Sequence, residues 1–266
     1  MFSEILNLTI SFILAFFVSW VAFEKGFLSK SGSIATFFLA MVIFYFGGIK
    51  WSVPVLTFFI PSSLLSKLNH SVKRTLQGIF EKSSERDFWQ VAANGAVGGV
   101  LVLIDNFFPD ERWFLLYVSY FAIMSADTWA TELGTLRRRK TYNVLTFEPV
   151  KQGISGGVSF FGLGASILGA AVVSFSALPW LNGNFGIALL LTVTGLLGSL
   201  IDSILGATIQ VQYRCVNCSV VTERNLHCNT KTKKIKGVAW FNNDWVNFTA
   251  GVIGILIFYL IETLIA

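Results

Sequence analysis

Ala126-Asp127-Thr128-Trp129-Ala130-Thr131-Glu132-Leu133-Gly134 sets two carboxylates and two threonines inside a stretch, 114–136, that otherwise reads as a membrane-spanning helix. A carboxylate at the centre of such a helix costs on the order of 3 kcal/mol even on the lenient insertion scale. The same anomaly recurs in Gly198-Ser199-Leu200-Ile201-Asp202-Ser203, where Asp202 interrupts another apolar run. Two separate spans that each tolerate this cost point to a shared polar site between helices, most simply one holding a cation.

The surrounding chain supports a membrane reading. It has 266 residues, is 54% hydrophobic and only 13% charged, and contains 26 Phe and 8 Trp. A soluble domain carries about 25% charged residues. The apolar residues come in blocks of about 20, the length that crosses about 30 Å of hydrocarbon. The fold class expected is all-α: one polytopic helical bundle over 1–266, with spans at 2–23, 33–49, 52–65, 89–105, 114–136, 158–179, 185–209 and 246–265. The third is short and holds Pro54 and Pro61, so it reads either as re-entrant or as one arm of a kinked hairpin. The alternating ten-residue strands of a membrane barrel are absent. The first run lacks the basic region and cleavage site of a secretory signal and reads as a retained helix.

Charge sets the orientation. Loop 66–88 carries Lys67, Lys73, Arg74, Lys82 and Arg86; loop 137–157 carries Arg137, Arg138, Arg139, Lys140 and Lys151; loop 210–245 carries Arg214, Arg224, Lys231, Lys233, Lys234 and Lys236. Connections 106–113 and 180–184 hold Asp110, Glu111 and a single Arg112. The positive-inside rule puts the three basic loops in the cytoplasm, as in a multi-pass protein of a bacterial inner membrane. The net charge of +5 sets topology and does not suggest a nucleic-acid partner.

On that topology nearly every unusual polar residue lies toward the cytoplasmic side. Asp127 and Thr131 share one helix face, as do Thr128 and Glu132. Asp202, with Ser203 and Gln210 near it, lies roughly 12 Å below the end of its helix at the usual rise per residue. Gln90 and Asn94 open one span; Asn242, Asn243, Asp244 and Asn247 open the last. Carboxylate and amide oxygens suit Mg²⁺ shared with substrate phosphates. The competing reading is that Asp127 and Asp202 pair with buried basic or hydroxyl groups and fix packing only. For Asn242, Asn243 and Asp244 it is helix capping.

The segment Gln152-Gly153-Ile154-Ser155-Gly156-Gly157 precedes a helix, where backbone N–H groups and the dipole favour a phosphate. It matches neither the Walker nor the dinucleotide fingerprint, and a plain turn is the alternative. Cys215-Val216-Asn217-Cys218 with His227-Cys228 offers four ligands for a structural zinc ion. The adjacent His-Cys pair is awkward, because neighbouring side chains point apart, and inert thiols in a plain loop are the alternative.

Asp127-Thr128-Trp129-Ala130-Thr131-Glu132-Leu133-Gly134, the 153–157 segment, Gly198-Ser199-Leu200-Ile201-Asp202-Ser203-Ile204-Leu205-Gly206-Ala207, Gln90-Val91-Ala92-Ala93-Asn94-Gly95 and Asn243-Asp244-Trp245-Val246-Asn247 together resemble the integral membrane family that includes plant phytyl-phosphate kinase and animal transmembrane protein nineteen. The resemblance implies a kinase that converts an isoprenoid monophosphate to its diphosphate with a nucleoside triphosphate, CTP by preference, and Mg²⁺. On that model Asp127, Glu132 and Asp202 are catalytic and, with Asp244, hold Mg²⁺. Gly153, Ser155, Gly156 and Gly157, with Lys151 and Arg74, cradle phosphates. Asn94, Thr128, Thr131, Ser203, Gln210, Asn243 and Asn247 complete the substrate and nucleotide shell. A cytidylyltransferase-like enzyme acting on a lipid phosphate, a transporter and a non-catalytic membrane scaffold are the rival readings.

Overall fold

The computed structural model describes residues 2–68, 85–136 and 140–265. Arg74 and the Arg137-Arg138-Arg139 run lie outside the described residues. Eight α-helices of more than ten residues are present among those described: α1 (Phe2–Glu24), α2 (Lys30–Val42), α3 (Gly48–Leu68), α4 (Phe88–Phe107), α5 (Glu111–Thr135), α6 (Phe160–Ser176), α7 (Phe185–Thr208) and α8 (Asn243–Ile265).

Short polar side chains start most of them. Ser29, Ser159 and Asn184 accept a backbone N–H from the first turn of α2, α6 and α7. Asp110 does so for α5, and Asp87 forms a reciprocal capping box with Gln90 at α4. Asn242 caps α8, its side-chain oxygen accepting from Asp244 N at 3.2 Å and Trp245 N at 3.4 Å. The capping function therefore falls on Asn242 among the three residues for which it was an alternative.

The third span is one arm of a hairpin. A π-helical turn, Ile43–Gly47, leads from α2 to Gly48, whose φ of +58° and ψ of −155° only glycine adopts without strain. Pro54 and Pro61 both lie inside α3; each removes a backbone donor, and packing against α5 holds the helix together. Hydrogen bonds fix the helix directions. At one end Asn7 Nδ2 donates to Tyr45 O at 3.3 Å, and Tyr117 Oη donates to Trp51 O at 2.5 Å. Arg112 also pairs there with Glu262 at 3.9 Å. At the other end Lys67 Nζ donates to Lys25 O at 3.0 Å and Arg86 Nη1 to Ser63 Oγ at 2.9 Å. Successive helices thus alternate in direction.

Among the described residues, five stretches are long and apolar enough to cross a membrane: Ser3–Glu24, Lys30–Leu68, Phe88–Phe107, Phe185–Thr208 and Asn243–Leu264. The second, 39 residues long, is the α2–α3 hairpin. The polar α5 lies among these helices, and the short α6 packs on α5 and α7 while leaving Phe160, Ile167 and Leu168 exposed on its outer face. Helix α5 is the hub: Tyr117, Val118, Tyr120, Phe121, Ala122 and Ile123 are each 0% exposed. Such enclosure frees α5 from the need to be apolar all round, which is why it can carry acids. Small residues permit the close packing. A methyl group at Gly195 of α7 would sit 2.5 Å from Ala170 Cβ of α6 and 3.1 Å from Ala122 O of α5. Outward-facing apolar side chains on α1, such as Phe12, Phe16 and Phe17, are exposed, as lipid contact requires.

The fold is an all-α polytopic bundle, and two of its connections carry small sheets that the periodicity does not announce. Strands β1 (Thr141–Asn143), β2 (Pro149–Val150) and β3 (Gly157–Val158) form an antiparallel sheet in the order β2-β1-β3. In the later connection β4 (Gln212–Arg214), β5 (Val221–Thr222) and β8 (Lys233–Lys236) form a second sheet, and β6 (Leu226–His227) pairs with β7 (Thr230–Lys231) as a hairpin. Runs of two to four residues are too short for alternation to be read from sequence.

Candidate functional site

A cavity of about 240 Å³ opens at the loop end of the bundle. The last turns of α5 and α7 enter it from one side, the first turns of α4 and α8 from another, and the 152–159 turn roofs it. The acids come from different elements. Asp127 of α5 and Asp202 of α7 face each other with their carboxyl groups in hydrogen-bonding reach. Two carboxylates this close repel unless a proton or a cation lies between them.

Asn247 of α8 braces the pair. With its amide nitrogen toward the carboxylate it donates to Asp202 Oδ2 at 3.0 Å and to Asn243 O at 3.2 Å, while its other edge lies 3.1 Å from the Asn94 amide of α4. Four helices are thereby tied to one pair of acids.

Glu132 lines the same cavity but is engaged differently. Ser66 Oγ of α3 donates to its Oε1 at 2.6 Å, and the Arg86 guanidinium lies beside it. Burial pulls Arg86 down to about 10 from 12.5, and the neighbouring Glu132 opposes that fall, so Arg86 stays cationic at neutral pH. The cation-ligand set of the sequence reading narrows here: Glu132 faces a basic partner, and Asp127 with Asp202 remain as the facing pair. Asp244, the fourth residue of that set, is placed apart from the pair. It is buried in the first turn of α8 and does not line the cavity. Lys151 is exposed and stands outside it.

The remaining assigned residues meet at the cavity wall: Asn94, Thr128, Thr131, Gly153, Ser155, Gly156, Gly157, Ser203, Gln210, Asn243 and Asn247. The glycine turn is pressed onto the end of α7. A methyl group at Gly156, where φ is +82°, would lie 2.5 Å from Ala207 Cβ. Gln152 Nε2 pins the turn to the Gly134 carbonyl at 2.7 Å. Part of its backbone is already engaged, since Gly157 N donates to Ile154 O at 2.9 Å, and Ser159 Oγ occupies the Gly162 N–H at the α6 start. Lys236 reinforces the α7 terminus by donating to Ala207 O; burial lowers its pKa.

Two contributors escape sequence reasoning. Arg86 reads as one more topological charge, although it directly precedes the capping residue of α4. Glu223 lies between Cys218 and His227 with no helical periodicity to mark it. It reaches the cavity by accepting from Ser155 Oγ at 2.7 Å and Gln210 Nε2 at 2.9 Å. The described lining thus holds four acids, Asp127, Glu132, Asp202 and Glu223, and one base, Arg86. Such a site favours a cation, and oxygen donors at Asp127 and Asp202 fit Mg²⁺.

A second, apolar cleft of about 60 Å³ lies beside this cavity between α1, α2, α3 and α4, lined by Leu39, Ala40, Val55, Leu56 and Phe59. Arg86, Gln90 and Asn94 line both spaces.

The fold and site define a polytopic membrane protein with an acidic chamber at one end of its bundle. The chain belongs to the family described as integral membrane protein DUF92, which matches residues 13–255. It is 32% identical to Protein PGR of Arabidopsis thaliana over 217 residues, covering 72% of this chain and 74% of that one. An uncharacterized membrane protein of Methanocaldococcus jannaschii is 32% identical over 178 residues, 65% of this chain and 63% of its own. One from Synechocystis sp. is 29% identical over 154 residues, 56% of this chain and 59% of its own. No solved structure matches the chain.

Proposed function

We propose that this protein is a lipid-phosphate kinase that transfers a phosphoryl group from a nucleoside triphosphate, CTP by preference, to an isoprenoid monophosphate. One observation carries the reading. Arg86, Gln90 and Asn94 stand at the junction of a polar acidic cavity and an apolar cleft, which is what a substrate with an anionic head and a hydrocarbon tail requires. The family resemblance supplies the reaction class.

Asp127 and Asp202 would hold Mg²⁺, whose contribution when bound is to neutralise nucleotide phosphate charge. Arg86 supplies a fixed positive charge for the acceptor phosphate, and Ser63 and Glu132 keep it oriented. An acceptor phosphate oxygen forms a bond to the γ-phosphorus, the bond to the β-phosphate bridging oxygen breaks, and CDP leaves with the electron pair. The acceptor is already an anion, so no general base is needed; positioning and charge neutralisation suffice.

The orientation belongs to the same proposal. Lys25, Lys30, Lys67, Lys151, Arg214 and Arg224 lie at the cavity end, and Asp105, Asp110, Glu111 and Glu262 lie opposite. The positive-inside rule turns the cavity to the cytoplasm, where nucleotide is available. A transport path gains no support, because α5 beyond the acids is packed solid by Tyr117, Tyr120 and Phe121.

The test is incubation of the purified protein with labelled nucleotides, Mg²⁺ and a panel of prenyl monophosphates. Free CDP and a prenyl diphosphate are expected. Release of pyrophosphate would identify a cytidylyltransferase instead, and no turnover across the panel would refute both.

A further inference from the structure

The geometry points to a structural zinc site in the 212–236 connection, built from Cys215, Cys218, His227 and Cys228, which fixes Glu223 at the mouth of the acidic cavity. We infer this independently of the proposed kinase activity.

Two turns bring the donors together. In the first, Cys215 N donates to Val220 O at 2.9 Å and Ser219 N returns to Cys215 O at 3.0 Å, with Ser219 at φ +58°. The second is the β6–β7 hairpin, in which His227 pairs with Thr230 across the two-residue turn Cys228-Asn229. Both turn residues are left-handed, at φ +52° and +57°, as a type I′ turn demands. This resolves the difficulty of adjacent ligands. A left-handed Cys228 no longer points away from His227, and its Sγ lies 3.2 Å from His227 Nδ1.

The spacing is that of a metal tetrahedron. Cys218 Sγ lies 3.8 Å from Cys228 Sγ and 3.5 Å from His227 Nδ1, and all four donor atoms fall within 4.8 Å of one another. A tetrahedral ion with Zn–S of about 2.3 Å and Zn–N of about 2.0–2.1 Å separates sulfurs by about 3.8 Å and sulfur from nitrogen by about 3.6 Å. A cysteine at positive φ is uncommon and carries strain that bound metal offsets. Four protein ligands leave no open position, so the ion is structural.

The position gives the site its consequence. Thr222, Glu223 and Arg224 bridge the two ligand pairs. Thr222 is 1% exposed, its Oγ1 accepts from Arg224 N at 3.1 Å, and Glu223 projects to Ser155 and Gln210. Closing the loop at both ends of this bridge removes the freedom that would let Glu223 leave the cavity.

The experiment measures metal in the full chain purified in detergent without chelator, then supplied with zinc. About one zinc per chain is expected, with Cys218→Ser and Cys228→Ser each falling to about a tenth or less. Because such variants can misfold, the unaltered chain is also exchanged into cobalt, where the visible absorption of a tetrahedral thiolate complex is expected. Stripping the metal with a strong chelator is expected to accelerate tryptic cleavage at Arg224 by about tenfold or more, and zinc to reverse it. Absence of metal after zinc supply, zinc content unchanged in both variants, or a Cys218–Cys228 disulfide in the isolated protein would overturn the inference. Asp202→Asn retains the zinc, so this outcome stays separable from the fate of the kinase reading.

Discussion

Replacing Asn247 with alanine removes the brace on the acid pair without touching either acid. The Asn247 amide donates to Asp202 Oδ2 at 3.0 Å and to Asn243 O at 3.2 Å, and its far edge meets Asn94 at 3.1 Å. A hydrogen bond to a charged acceptor contributes about 1.5–3 kcal/mol. Loss of a residue that orients a metal ligand weakens metal affinity by about 10–100-fold, which is about 1.4–2.8 kcal/mol. The two routes agree. Asn247 is only partly buried, so water can refill the space, and the lower half of that range, about 10–30-fold, is expected. The assay is titration of purified protein with Mn²⁺ as a Mg²⁺ substitute, followed by electron paramagnetic resonance. Asn94→Ala, which reaches Asp202 only through Asn247, is expected to lose less. An Mn²⁺ affinity for Asn247→Ala within about twofold of the unaltered protein, in a sample with unchanged tryptophan fluorescence, would refute the idea that the four-helix network organises a cation site.

Other substitutions test other parts of the account. Gly156→Ala forces a side chain into φ +82° and against Ala207, and a loss of about 2–4 kcal/mol is expected, read as a lowered thermal unfolding midpoint. Gly164→Ala, with nothing within 4 Å, is the control and is expected to be neutral or slightly stabilising. Arg86→Leu removes the cation beside the buried Glu132 and is expected to cost about 3–5 kcal/mol; adding Glu132→Gln is expected to recover part of the loss in the same melting assay. Ala40→Leu fills the apolar cleft. On the proposed function, displacing about two methylenes of a lipid tail is expected to raise the KM for a prenyl phosphate by about tenfold at unchanged Mn²⁺ affinity.

The sequence carries the bundle because hydrocarbon imposes a simple rule: blocks of about 20 apolar residues must become helices. It also carries the acid pair, since Asp127 and Asp202 stand out against an apolar background. The hairpin between α2 and α3 is half legible. Pro54 and Pro61 mark irregularity, whereas the reversal at Gly48 depends on a backbone angle that sequence does not display. What escapes has a common cause. Arg86, Glu223, Lys151 and Asp244 all sit in connections or first helical turns, where neither period 3.6 nor hydrophobicity says which way a side chain faces. Arg86 and Glu223 turn inward through tertiary hydrogen bonds; Lys151 and Asp244 do not reach the cavity. The short strands that carry the cysteine ligands fall below the length at which alternation can be recognised.

The central claim is that Asp127 and Asp202 share a divalent cation. Anomalous scattering from crystals of the protein soaked in Mn²⁺ tests it most directly. A peak at about 2.0–2.2 Å from a carboxylate oxygen of each residue is the result expected. Well-ordered carboxyl groups facing each other with no anomalous peak between them at saturating Mn²⁺ would show a shared proton in place of a metal, and would contradict the account.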